Sequence, residues 1–267
     1  MFDLFIGLLA GILIGVLTGL TPGIHINLIS VLVLANLALF PTILPITVAV
    51  FIVALAITHT IIDFVPSIYL GAPEEDTYLS VLPGHELLKQ GKGHEALSLA
   101  VIGTLLGVAM LIILTPILIV ILESVEQIIF KAIPFVLIAI SLYMILREDS
   151  PLGALIIFTL AGFLGYTSFN LPIQEPLLPL LTGLFGASTI VMSIREKVKV
   201  PKQKPSRLIL PKKSELRKVI FPSIIIAPWC TFLPALGSGY AALISSEIVK
   251  QSRRSFMILS GLLNAFI

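Results

Sequence analysis

Three groups of polar residues stand inside otherwise apolar sequence. Thr21-Pro22-Gly23 is followed by His25 and Asn27; Thr58-His59-Thr60 leads through two isoleucines to Asp63; and Pro234 precedes Gly237-Ser238-Gly239. Proline lacks a backbone donor and glycine admits positive φ, so the first and third groups break any helix that reaches them. A broken helix end offers unpaired amides and the favourable end of a dipole to an anion such as a carboxylate or phosphate. Thr21, Pro22, Gly23, His25 and Asn27, with Pro234, Gly237, Ser238 and Gly239, are therefore the candidates for holding an anionic substrate. The plainer alternative is a pair of kinks packed against neighbouring helices. His25 is suited either to carrying a proton or to capping a freed carbonyl. Asp63, with His59 and Thr60, is the candidate coupling site, binding Na⁺ beside the threonine hydroxyls or accepting a proton. Its alternative is a solvated carboxylate at the membrane interface.

Other chemistries find little support. His25, His59, His85 and His94 show no His-x-x-x-His spacing, and the single Cys230 has no partner, so no metal site is expected. Ser238 lacks both the wider Gly-x-Ser-x-Gly context and an evident base. The chain is read as non-enzymatic, with no catalytic residue and no cofactor beyond a coupled Na⁺ or H⁺.

The elements that must position these residues follow from composition. The chain is 57% hydrophobic and 12% charged, with a mean hydropathy of +1.08. Soluble domains carry about 25% charged residues, and the apolar runs here are continuous, without the alternation of a barrel strand. The fold class expected is an all-α polytopic membrane protein. Gly11, Gly15 and Gly19, four residues apart, mark a helix face open to close backbone approach. Residues 3–40 are expected to form a re-entrant hairpin with its tip at Thr21–His25, the alternative being two short, full spans. Spans follow at 45–62, 95–122, 132–146, 152–169 and 176–194. Irregular backbone is expected at Val65-Pro66-Ser67 and Gly71-Ala72-Pro73, and an outer loop around Glu123, Glu126 and Lys131. Residues 195–218 form a basic linker, and 219–267 begin a second unit around Pro234.

Charge orients this arrangement. Basic flanks belong on the cytoplasmic side, and a single topology places every Lys and Arg except Lys131 there, including the whole of 195–218. That loop could instead touch anionic lipid or nucleic acid; a connector that sets topology is the simpler role, and no nucleic-acid partner is expected. Five spans between the two broken hairpins give them opposite orientations, the pattern of an inverted repeat with 1–194 as the first copy. Aligning Pro22 with Pro234 makes the second copy end before any counterpart of Asp63, so the second repeat reads as truncated and the chain as a fragment.

Four stretches together resemble a known family. Gly19-Leu20-Thr21-Pro22-Gly23, Val65-Pro66-Ser67 through Gly71-Ala72-Pro73, Leu82-Pro83-Gly84 through Lys89-Gln90-Gly91-Lys92-Gly93-His94-Glu95-Ala96-Leu97, and Leu233-Pro234-Ala235-Leu236-Gly237 are similar in order and spacing to motifs of the large permease subunit (TctA) of tripartite tricarboxylate transporters. Ala235 stands where that family usually has glycine, and the length is roughly half of what the family needs, which suggests a short, divergent, archaeal-type branch. The resemblance implies a small membrane subunit and an extracytoplasmic binding protein as partners.

The function expected is a secondary transporter permease for a di- or tricarboxylate-like organic anion, working by alternating access and coupled to Na⁺ or H⁺. Two alternatives stand beside it: a translocase of a lipid-linked phosphate carrier, and a membrane assembly subunit that carries no flux. The cell membrane is the expected location, with membrane lipids and a further copy of the chain as candidate partners.

Overall fold

The computed structural model describes residues 2–21, 24, 26–37, 44–70, 78–172, 176, 180, 183–184, 191, 201–204, 209–232 and 237–267. Pro22, Gly23, His25, Pro234, Gly71-Ala72-Pro73 and nearly all of the span at 176–194 lie outside them. Among the described residues every regular element is helical. Among the described residues four helices are long and apolar enough to cross a membrane: Phe2–Leu20, Pro45–Tyr69, Gly93–Ile121 and Pro151–Phe169.

Helix α1 (Phe2–Leu20) lies against α3 (Pro45–Ile62), with the shorter α2 (Ile26–Ala35) between them in sequence. The seam is made of glycine. Gly7, Gly11, Gly15 and Gly19 are all buried. A Cβ at Gly7 would lie 2.9 Å from the Thr47 carbonyl oxygen, at Gly15 2.7 Å from Thr58 Cβ and at Gly19 2.8 Å from Ile62 Cβ, while one at Gly11 would enter the Phe51 carbonyl. The stripe thus begins one turn earlier than Gly11-x-x-x-Gly15 suggests, and its partners rise in step along α3. The two helices are parallel.

Where irregular backbone was expected around Pro66, the chain stays helical as α4 (Phe64–Tyr69), after a single turn residue at Asp63. Pro66 falls in the first turn of α4, where a missing N–H is tolerated. Helix α5 (Tyr78–Lys89) follows, then a tight turn with Gly91 at φ +76°, then α6 (Gly93–Arg147).

Helical turns continue through all 55 residues of α6, without the loop expected near Glu123–Lys131. That stretch holds no glycine or proline to stop a helix. Yet both ends of α6 are held at one end of the molecule: Arg254 pairs with Glu95, and Glu247 with Arg147 at 2.7 Å. The seven-residue step from Glu247 to Arg254 reaches at most about 25 Å, whereas a straight helix from Glu95 to Arg147 would measure about 78 Å. Leu114 and Leu118 also pack on the same core as Leu137 and Ile140. The segment therefore turns back on itself between Leu118 and Leu137, with Pro116 and Pro134 flanking the reversal. Helix α7 (Pro151–Phe169) starts from a Ser150 cap and runs back beside the last turns of α6.

The second unit comprises α8 (Lys213–Phe232), α9 (Ser238–Ile248) and α10 (Arg253–Phe266). Helix α8 begins inside what composition marks as the basic linker, because Lys213 to Lys218 continue the helix without a breaker. Pro222, within α8, cannot donate to the Lys218 carbonyl; the Gln251 side chain does so instead, at 3.0 Å. The 212-residue offset that aligns Pro22 with Pro234 carries α1 onto α8 and α2 onto α9, with ends agreeing to within a residue. Helix α10 is the centre of the core: Met257, Ile258, Leu259, Leu262 and Leu263 are all fully buried. It packs on the first arm of α6 through a second glycine seam, with Gly103 against the Ile258 carbonyl, Gly107 against that of Leu262 and Gly261 against that of Ala100.

Directions can now be assigned. The starts of α8 and α10 are tied together by Arg254 and Glu215 at 2.9 Å, and both helices run into the same core, so they are parallel. Helices α3–α4 and α10 meet at Asp63 with Asn264 and again where Gly84 lies between Ile68 and Met257. Numbering rises along one as it falls along the other. The unit α1–α3 therefore runs opposite to α8–α10, an inverted arrangement.

Candidate functional site

Helix α3 carries its polar residues at four-residue spacing, as His59, Asp63 and, in α4, Ser67. This puts them on one face, and that face points inward: all three are buried, Asp63 to 2% exposure. Apolar surroundings make such groups costly unless they are paired. The Nδ1 of His59 lies 2.9 Å from the Thr18 hydroxyl of α1, and that hydroxyl donates to the Gly15 carbonyl at 3.2 Å. With its one proton committed to Gly15, Thr18 accepts from the His59 Nδ1–H. One turn on, the Asn264 amide of α10 donates to Asp63 Oδ2 at 3.2 Å. Ser67 donates back to the Asp63 carbonyl at 2.9 Å. A polar ladder thus crosses from α1 through α3 to α10 at the place where the two oppositely running units touch.

The remaining candidates are placed as follows. Thr60 is buried, and its hydroxyl is spent on the Ala56 carbonyl at 2.8 Å. Thr21 is exposed just past α1 and donates to the Leu17 carbonyl. Asn27 is exposed in the first turn of α2. Gly237 is the extended N-cap residue of α9, with buried Ser238 and Gly239 in the first turn. By helix rise, Ser238 lies about 17 Å along α9 from Val249, and Asn264 about 15 Å along α10 from Arg254. The start of α9 and the Asp63–Asn264 bond therefore sit at a similar depth. Pro22, Gly23, His25 and Pro234 lie outside the described residues.

Two residues of the ladder escape a reading by motif. Asn264 is the one amide in the apolar run at 255–267, and Thr18 is the one hydroxyl on the apolar helix α1. Neither carries a spacing signal. Among the described residues no group of three His, Cys, Asp or Glu side chains is placed to hold a metal. Two cavities lie elsewhere. One of about 390 Å³ between α1, α2 and α3 is lined by apolar side chains with Thr47 and Asn36, and one of about 660 Å³ beside the α6–α7 turn carries Glu148 and Asp149. Neither lining suits an anion.

Apolar helices joined by glycine seams, with charge gathered at one end, define a multi-pass, all-α membrane protein. Residues 5–258 match the Tripartite tricarboxylate transporter TctA family, and the chain belongs to that family. It is also 32% identical over 254 residues to an uncharacterized protein of Methanocaldococcus jannaschii, a match covering 90% of this chain and 60% of the relative. The chain thus spans about 60% of the curated relative's length. No solved structure matches it.

Proposed function

We propose that the chain is the permease part of a secondary transporter for organic anions of the di- or tricarboxylate kind. The observation that carries this reading is the bond from Asn264 to the buried Asp63 between two oppositely running three-helix units. Inverted units crossing at a polar point inside an apolar bundle are the architecture that alternating access uses, one unit rocking against the other. The anion is held between the broken ends at Thr21–Asn27 and Pro234–Gly239, by helix-end amides. Asp63 is the coupling group, taking Na⁺ or H⁺, and His59 orients the turn before it. Membership of the family supports a small membrane subunit and an extracytoplasmic binding protein as partners. The basic stretch 195–218 lies on the cytoplasmic side of the cell membrane.

Uptake of radiolabelled di- and tricarboxylates into proteoliposomes, with Na⁺ and pH gradients imposed separately, tests the reading. Uptake driven by one of the gradients and lost in Asp63→Asn supports it. Coupled uptake that survives Asp63→Asn removes the coupling role, and binding of a lipid-linked phosphate in preference to every carboxylate replaces the substrate class.

A further inference from the structure

The basic segment is not a loose connector throughout. Residues 201–204 are laid across the α5–α6 turn by three hydrogen bonds: Gly93 N–H to Gln203 Oε1 at 2.8 Å, Gln203 Nε2 to the Leu88 carbonyl at 3.2 Å, and Lys204 N–H to the Gly91 carbonyl at 2.9 Å. Gly91 makes this possible twice over. Its φ of +76° suits glycine, and a Cβ there would lie 3.1 Å from the Lys202 carbonyl oxygen. The result brings Lys89, Lys92, Lys202 and Lys204 together from two distant stretches of chain, all four exposed.

Among the described residues, three acids of the neighbouring helices are already engaged. Glu86 pairs with Arg253, and Glu95 and Glu215 share Arg254. His85 is turned to the Ile68 carbonyl. Among the described residues none of the four lysines has an acidic partner. The platform lies at the same end as Arg253 and Arg254, where the helices start. It is therefore a cluster of four lysines on a hydrogen-bonded backbone turn, without an acidic partner among the described residues, at the edge of an apolar bundle.

We propose that Lys89, Lys92, Lys202 and Lys204 form a docking platform for the phosphates of anionic phospholipid headgroups, prearranged by Gln203. Charge complementarity selects the occupant. A lysine near an anionic bilayer surface gains attraction from the surface potential, and cations held in place lose less freedom on binding than those on a mobile loop. The bound lipid tethers the α5–α6 turn and the linker between the two units to one leaflet.

The test uses the full chain in nanodiscs of phosphatidylcholine with a graded fraction of phosphatidylglycerol, reading retained lipids by native mass spectrometry. The variant Lys89→Gln/Lys92→Gln/Lys202→Gln/Lys204→Gln is compared with Lys212→Gln/Lys213→Gln/Lys218→Gln/Lys250→Gln, which removes the same charge from the same end. The first is expected to lower the preference for phosphatidylglycerol about tenfold or more and the second by less than about threefold. Gln203→Leu, which keeps every charge, is expected to lower it several-fold. Equal losses in the two fourfold variants, or no loss in Gln203→Leu, overturn the platform. So does tighter binding of a soluble polyglutamate peptide than of the lipid. Should the fourfold variant fail to insert, Lys89→Gln and Lys202→Gln singly, each expected to lower the preference about threefold, decide the matter in the same assay.

Discussion

Asn264 donates a hydrogen bond to Asp63 across 201 positions of sequence, and in doing so ties the end of one three-helix unit to the end of its inverted counterpart. Asp63 is buried and Asn264 partly so, and their bond sits one helical turn from the His59–Thr18 pair. Any motion of one unit against the other has to break it or carry it along. That places a carboxyl side chain at the contact between the units.

Replacing Asn264 by leucine removes the side-chain donor that α10 gives Asp63. A buried carboxylate that loses such a donor costs about 1.5–3 kcal/mol. The expected outcome is a lower melting temperature in detergent at neutral pH, partly restored by Asp63→Asn in the same chain. Absence of coupling in this double-mutant cycle would show that the bond is not made in solution.

The glycine seams predict a sharp contrast between positions. Gly15→Leu forces α1 off α3, since even a Cβ meets Thr58 at 2.7 Å. Loss of at least about 2 kcal/mol, or failure to assemble, is expected. Gly162 on α7 has nothing within 4 Å, so Gly162→Ala should leave stability unchanged or raise it by about 0.5–1 kcal/mol through helix propensity. Thermal melting of the two variants in one detergent separates them.

The ion pairs rank in the same way. Arg254 holds two largely buried carboxylates, and Arg254→Gln leaves Glu95 and Glu215 facing each other where three helices begin. A cost of about 2 kcal/mol or more is expected. The Arg147–Glu247 pair is half exposed on both sides. Its hydrogen bond and charge raise the Arg147 pKa further above an already high value, which changes nothing at accessible pH. Arg147→Gln is expected to leave the melting temperature within experimental error.

The reversal of α6 is open to direct measurement. Spin labels at Lys92→Cys and Glu148→Cys would lie about 84 Å apart on a straight helix. Folded back, the pair should give a distance below about 45 Å by pulsed electron resonance. A distance near the straight-helix value would require the Glu95–Arg254 and Arg147–Glu247 pairs not to coexist.

Sidedness has its own test. Lys213→Cys should react with a membrane-impermeant maleimide only from the cytoplasmic face, and Lys131→Cys only from the outer face. The opposite pattern would reverse the proposed orientation.

Much of this architecture is written locally in the sequence. The excess of apolar residues over charge determines a helical membrane protein, because a chain in lipid must satisfy its backbone within its own helices. Gly11, Gly15 and Gly19 announce a close-packed face through spacing alone, and the density of lysine and arginine marks one end of the bundle. Proline proved less readable. Pro66 lies within the first turn of a helix, and Pro222 is accommodated because Gln251 supplies the donor it lacks. Tertiary structure alone decided the partners: Thr18 for His59, Asn264 for Asp63, Gln203 for the α5–α6 turn, and the return of α6 to the end where it began. Each of these is a meeting of residues far apart in the chain, on helix faces whose rotation and depth are set by packing, and such meetings leave no periodic or local trace in sequence.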